Sequence, residues 1–171
     1  MRVTLESLYL SPAHNYFGHH GLAASEHPSV SVTELHCVAG RGISGDRFFD
    51  YRPDYPGQIT FFSAETFDAL CRELPLREPT PAALRRNVLI RGVDLPKMLH
   101  AEFSIQDVRF YGASECKPCH WMNEAIAPGA EAWLHGRGGL RARILTDGII
   151  RLGDALWWAQ ESVAESMTGQ V

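Results

Sequence analysis

Two thiols, an imidazole and several guanidiniums crowd one short stretch of this chain. Cys116-Lys117-Pro118-Cys119-His120 follows a strand-like run, Phe103 to Gly112, and precedes Gly136-Arg137-Gly138-Gly139 and Arg141-Ala142-Arg143. Several chemistries use such a set. C-x-x-C-H is the spacing of covalent haem attachment. That reaction needs an oxidising compartment, and the opening segment, Met1 to Leu10, has no long apolar leader. A zinc site needs further ligands, for which Cys37 and His135 are the candidates. A dithiol redox pair gains positive potential from a strand-to-helix junction and from Lys117, although no βαβ pattern surrounds it. One soft thiolate can instead ligate a transition metal inside a larger cofactor. The plain alternative is two thiols packed at the rim of a sheet.

A cofactor that carries phosphate also needs anion-binding groups. Gly40-Arg41-Gly42-Ile43-Ser44-Gly45-Asp46-Arg47 and Gly136 to Gly139 are glycine loops whose backbone N–H groups can form anion nests. Arg85, Arg137 and Arg143 can present guanidinium forks to phosphate. Neither loop has the glycine spacing of a dinucleotide fingerprint or the Gly-Lys-Ser/Thr of a P-loop.

Those arginines are local features of an acidic chain. The net charge is -4 over 171 residues, which argues against a nucleic-acid polyanion as partner and for a small anionic ligand. An apolar fraction of 45% and a charged fraction of 21% describe a globular chain rather than a disordered one. No apolar run reaches the ~18 residues of a membrane span, so no membrane partner is expected. Four cysteines, at 37, 71, 116 and 119, are too sparse for a disulfide scaffold, which points to reduced thiols and the cytoplasm.

The elements that must position this chemistry are short. Val3–Leu10, Val30–Val38, Gln58–Phe62, Asn87–Arg91 and Phe103–Gly112 read as strands, the last bent near Gln106-Asp107. Leu140–Leu145 and Ile149–Trp158 read as a closing pair joined by a Thr146-Asp147-Gly148 hairpin turn. Ser63 caps the clearest helix, with Phe62 and Phe67 as a hydrophobic staple and Phe67, Leu70, Cys71 and Leu74 on one apolar face. Cys71 is thereby expected to be inert core. Thr80-Pro81 starts one or two helical turns, and residues 121–126 and 131–135 read as short helices. Residues 13–28, with histidines at 14, 19, 20 and 27, read as an exposed polar loop rather than a metal site. The sum is a mainly β chain with a few short helices, folded as a β-barrel. Residues 1–160 form one domain and 161–171 a polar tail.

Five motifs in order resemble the MOSC domain, the family named for the C-terminal domain of molybdenum cofactor sulfurase. They are Gly45-Asp46-Arg47, Gln58 to Glu65, Leu84-Arg85-Arg86-Asn87 to Leu95, Cys116-Lys-Pro-Cys119, and Gly136-Arg-Gly-Gly139 through Gly153-Asp154. The resemblance spans roughly residues 3 to 160 and implies a closed or partly open β-barrel of the MOSC type. It implies a molybdopterin-type molybdenum cofactor, with Cys119 as the molybdenum ligand. It also implies that Arg85 and Asn87 lie near the pterin and phosphate. Arg86 stands where larger reductase members have proline.

Three functions are then open. The chain binds the cofactor through Cys119, with Arg85, Asn87, Arg137 and Arg143 around it. It then reduces an N-oxygenated small-molecule substrate with electrons from a separate electron-donor protein. Alternatively Cys116 and Cys119 relay sulfur from a cysteine desulfurase, as a sulfur carrier. A third reading is a non-catalytic module that takes a phosphorylated small molecule. Asp46, beside Arg47 and past a glycine turn, is expected to be structural and to satisfy turn N–H groups.

Overall fold

The elements run β1 (Arg2–Leu10), β2 (Val30–Val32), β3 (Glu34–Val38), β4 (Gly42–Ile43), β5 (Ile59–Ser63), α1 (Ala64–Glu73), β6 (Val88–Arg91), β7 (Glu102–Ile105), β8 (Val108–Glu115), α2 (Trp121–Ala125), α3 (Ala130–Trp133), β9 (Leu140–Ile144), β10 (Gly148–Arg151) and β11 (Gly153–Ala159). Two 3₁₀ turns, Pro81–Leu84 and Leu95–Met98, link them. This computed structural model describes residues 1–14, 26–75 and 80–159. Most of the histidine-rich segment and the C-terminal tail lie outside the described residues.

Seven strands close a barrel in the order β11-β7-β8-β9-β5-β6-β1, with β1 pairing back to β11 and β2 added outside β1. Closure leaves few unpaired edges. All barrel pairings are antiparallel except β5 with β6, which run parallel (Phe61↔Val88) because α1 carries the chain back between them. A small second sheet, β10-β3-β4, lies beside the barrel.

Alternation along the strands fills two cores. Ile59 and Phe61 of β5, and Val88 and Ile90 of β6, face the barrel interior. There Phe61, Phe103 and Phe110 meet at ring separations of 5.4–5.5 Å, and Trp157 stacks on Phe103 at 4.6 Å. Each such ring contributes about 1.5–3 kcal/mol through burial. Phe62 and Leu89 face outward into a second core with Leu70, Leu84, Met122, Ile126 and Leu134. β5 and β6 are thus buried on both faces, and their continuous apolar runs follow from that. The second core fixes α2 and α3, and with them the cysteine segment, against the barrel. Trp121 reinforces it by donating its indole N–H to the Ala83 carbonyl at 3.0 Å.

Local signals held where the partners were local. Ser63 Oγ accepts from Thr66 N at 3.1 Å and starts α1, and Thr80 caps the turn at Pro81. Four expectations change. The run from Phe103 to Gly112 is a hairpin rather than a bent strand, because Gln106 and Asp107 take φ of 48° and 70° in a tight turn. Residues 30–38 divide into β2 and β3. The Thr146–Gly148 turn does not join a hairpin: β9 pairs with β5 and β8, while β10 pairs with β3. Thr146 Oγ1 accepts Arg109 N, and Asp147 accepts Ala39 N, so these turn residues serve distant strands. Cys71 is half-buried rather than core.

Cys37 lies in the barrel core, 3% exposed, and burial pushes its thiol up to about 12. Its folded pKa lies above the unfolded value. The stability this contributes is complete below the ordinary thiol value of 9.0 and is lost as pH rises from there through about 12. Urea unfolding over that window should show a falling stability that is flatter in Cys37→Ala. Equal slopes in the two proteins would remove Cys37 as the cause.

Candidate functional site

The cysteine segment leaves the barrel at the end of β8, next to the glycine loop that precedes β9. Cys116 N donates to Gly139 O at 2.8 Å. Gly138 packs so closely that a Cβ there would sit 2.2 Å from Cys116 O. Arg86 locks the junction from below: Nε donates to Gly138 O (3.0 Å), Nη1 to Leu84 O (2.7 Å) and Nη2 to Cys116 O (3.1 Å). The second glycine loop therefore exists for close backbone approach. In the first loop the amides of Gly40, Arg41, Ser44, Asp46 and Arg47 all donate to protein carbonyls, so they form no open nest.

This framework separates the two thiols. Cys116 is 4% exposed, while Cys119 is exposed. Cys119 O accepts Met122 N at 2.9 Å and so anchors the entry to α2. His120 is held between carboxylates, with Nε2 3.3 Å from Glu124 and Nδ1 3.9 Å from Glu131. These contacts link the start of α2 to α3. Among the described residues no three His, Cys, Asp or Glu side chains cluster as a metal site. That removes support for a zinc centre built from Cys37 and His135.

Arginines surround the thiols. Arg141, half-buried on β9, lies against the Cys116 sulfur and within electrostatic reach of Tyr55 and Cys119. Burial works to lower its pKa, and these partners more than offset it, so the net direction is upward. Arg47 stacks on the Phe48 ring at 4.6 Å. Burial depresses its guanidinium; Asp46 and Tyr55 oppose that, while Arg86 adds to it. Burial and then Arg47 bring Arg85 down to about 10, with Asp46 opposing. Arg47, Arg85 and Arg86 thus press positive charge together with Asp46 as the neighbouring acid. Such a cluster is relieved by an anion. Phe48, Tyr51 and Tyr55 form an aromatic wall beside it, with ring separations of 4.9–5.4 Å.

The candidate residues from the sequence fall into three groups. Cys116 and Cys119 stand together with Arg141. Arg85 and Asn87 lie behind them and are committed to the protein. Arg85 donates to His27 O and Ala13 O, both at 3.0 Å. Asn87 Oδ1 accepts from Thr60 N (3.0 Å) and Thr60 Oγ1 (2.8 Å), and its Nδ2 donates to Tyr9 O (3.2 Å) and Asp46 Oδ2 (3.1 Å). Arg143 stacks on Tyr111 at 4.8 Å and lies 3.7 Å from the exposed Asp54. Arg137 stacks on Trp133 at 4.5 Å and lines a separate cavity. The sequence showed Arg141 and Arg47 without marking either as a site residue, and gave no signal for Tyr55. The β8–β9 register, Ser114↔Arg141 and Glu115↔Leu140, is what brings Arg141 to the cysteine end.

Asp46 meets the expectation of a structural carboxylate. It is 7% exposed and accepts Ser11 N, Phe48 N and Asn87 Nδ2, each at 3.1 Å. Asp46→Asn must turn an NH₂ toward one of these donors. The expected loss is about 1–3 kcal/mol in chemical denaturation, with ligand occupancy of the folded fraction unchanged. Unaltered melting with lost occupancy would place Asp46 in the site instead.

Comparison with known proteins follows this geometry. The family model for the MOSC domain matches residues 51–157. The fold is similar to that of the YUAD protein from Bacillus subtilis, with a TM-score of 0.72 and 17% identity, covering 95% of this chain and 98% of that one. It is also similar to YiiM from Geobacillus stearothermophilus, with a TM-score of 0.68 and 15% identity over 95% of this chain and 77% of that one. YiiM from Escherichia coli gives 0.61 and 15%, over 94% and 71%. No curated protein matches the chain.

Proposed function

The chain belongs to the MOSC domain family, and from that premise we propose that it holds a molybdopterin-type molybdenum cofactor with Cys119 as the single protein ligand to the metal. The family is associated with molybdenum cofactor binding. The observation that carries the reading for this chain is the donor set. One exposed thiol stands beside a buried one, no protein cluster among the described residues would hold a bare ion, and Arg47 and Arg141 lie within electrostatic reach of the thiols. That set suits a group that brings its own remaining ligands and carries a phosphate.

Each residue then has a distinct task. Cys119 supplies the thiolate. Arg141 holds positive charge against the Cys116 sulfur and within reach of Cys119. Arg47 would hold the cofactor's phosphate, with Tyr55 and Phe48 walling that side. Arg85, Arg86 and Asn87 act as positioning residues through the backbone carbonyls and side chains they hold. Arg143 stands at the outer edge. When bound, the cofactor supplies two-electron redox chemistry, and the protein supplies orientation and charge. The reaction we assign is reduction of an N-hydroxylated small molecule to the amine and water. It consumes two electrons and two protons, the electrons coming from a separate donor protein in the cytoplasm. Sulfur transfer by a Cys116–Cys119 relay is less well supported, because Cys116 is shielded from a partner.

Inorganic phosphate tests the arginine cluster without the whole cofactor. Saturating phosphate should raise the melting temperature, by roughly 2–4 °C for each kcal/mol of binding free energy. The shift should shrink in Arg47→Ala and in Arg141→Ala. An equal shift in both variants would mean that phosphate binds elsewhere.

A further inference from the structure

At the end of β8 lies a cavity of about 240 Å³. Glu115, the last residue of β8, lines it and also a neighbouring cavity beside Lys117 and His135, while neither cysteine lines it. The 3₁₀ turn supplies Leu95, Pro96 and Leu99 to one wall, and Leu140, the β9 partner of Glu115, supplies another. Glu115 Oε1 is buried and has no hydrogen-bond partner among the described residues. An acceptor oxygen shut from water without a donor is unfavourable. Arg137 lines the same cavity, but its guanidinium is stacked over Trp133 at 4.5 Å, and it makes no ion pair with Glu115. Ser63 and Thr66 also line the cavity, the Ser63 hydroxyl donating to Glu65 Oε2, and no lining group reaches Glu115 Oε1.

We propose that this cavity is a binding site for a small organic cation, an amine or amidinium on a compact apolar body, with its N–H groups answering Glu115 Oε1. Size agrees with that class. An apolar cavity of ~150 Å³ accepts benzene, so this one accommodates an aromatic ring with a short cationic arm. Leu99, which lines it, is 40% exposed. The site is distinct from the thiol cleft and does not depend on the cofactor reading. It adjoins that cleft through the backbone, since Gly139, which lines the cavity, also accepts Cys116 N at 2.8 Å.

Three probes of one shape separate the possibilities: benzamidine, benzyl alcohol and benzoate, titrated calorimetrically into the full chain. Benzamidine is expected to bind, with benzyl alcohol and benzoate at least about tenfold weaker. Glu115→Gln, which keeps the shape and removes the charge, should weaken benzamidine about tenfold or more. Leu99→Trp, which puts a larger side chain in the cavity wall and leaves Glu115 in place, should also abolish binding; it serves alone if Glu115→Gln does not fold. Four results would overturn the proposal: no benzamidine binding up to about 10 mM, benzoate binding as tightly as benzamidine, unchanged affinity in Glu115→Gln, or unchanged affinity in Leu99→Trp.

Discussion

Cys119→Ala is expected to give a folded protein carrying less than about one tenth of the wild-type molybdenum. Cys116→Ala is expected to keep a loaded fraction but to bind the metal about 10–100-fold less tightly, as for loss of a group that orients a ligand. The difference follows from placement. Cys119 is exposed and spends only its backbone, through the Met122 N–H, on the fold; alanine preserves that bond. Cys116 is 4% exposed behind it, with its sulfur against Arg141. Metal analysis of both variants from a molybdenum-replete host, beside circular dichroism, decides the matter. A sulfur relay predicts the opposite pattern, in which both variants lose sulfur loading from a desulfurase equally and metal content is irrelevant.

Asn87→Ala is expected to cost about 3–5 kcal/mol of folding stability, the largest single loss short of the aromatic core. Its side chain, just before β6, joins two strands and a loop. It accepts from Thr60 N and Oγ1 on β5, and donates to Tyr9 O on β1 and to Asp46. The residue is 8% exposed, so water cannot replace these partners freely. Truncation strands Thr60 N and Tyr9 O and takes one donor from Asp46. Chemical denaturation gives the number. A loss below about 1 kcal/mol, with phosphate stabilisation abolished, would move Asn87 from the scaffold to the ligand.

The barrel was legible in the sequence because its signals are local. Ser63, Thr80-Pro81 and the alternating runs of β1, β5 and β6 each state their own structure. Pairing between distant strands was less legible. Thr146-Asp147-Gly148 has hairpin composition, yet β10 joins β3 across the chain. Gln106-Asp107 forms a tight hairpin turn without the glycine that usually marks one. The cysteines were visible as a motif, but their unequal burial depends on Gly138 and Arg86, which lock Cys116 and leave Cys119 at the surface. Arginine count identified a cationic region without identifying its members. Arg85 is tied to backbone carbonyls and Arg137 to Trp133, whereas Arg47 and Arg141 reach the thiol cleft. Only the β8–β9 register and the Asp46 turn decide that.

The stoichiometry of the wild-type chain tests the central claim most directly. The protein, purified from a host that makes the cofactor and is supplied with molybdate, should carry about one molybdenum and one pterin per chain, the pterin released as a fluorescent product on oxidation. Less than about one tenth of a molybdenum per chain, with no pterin fluorescence, would contradict the cofactor reading.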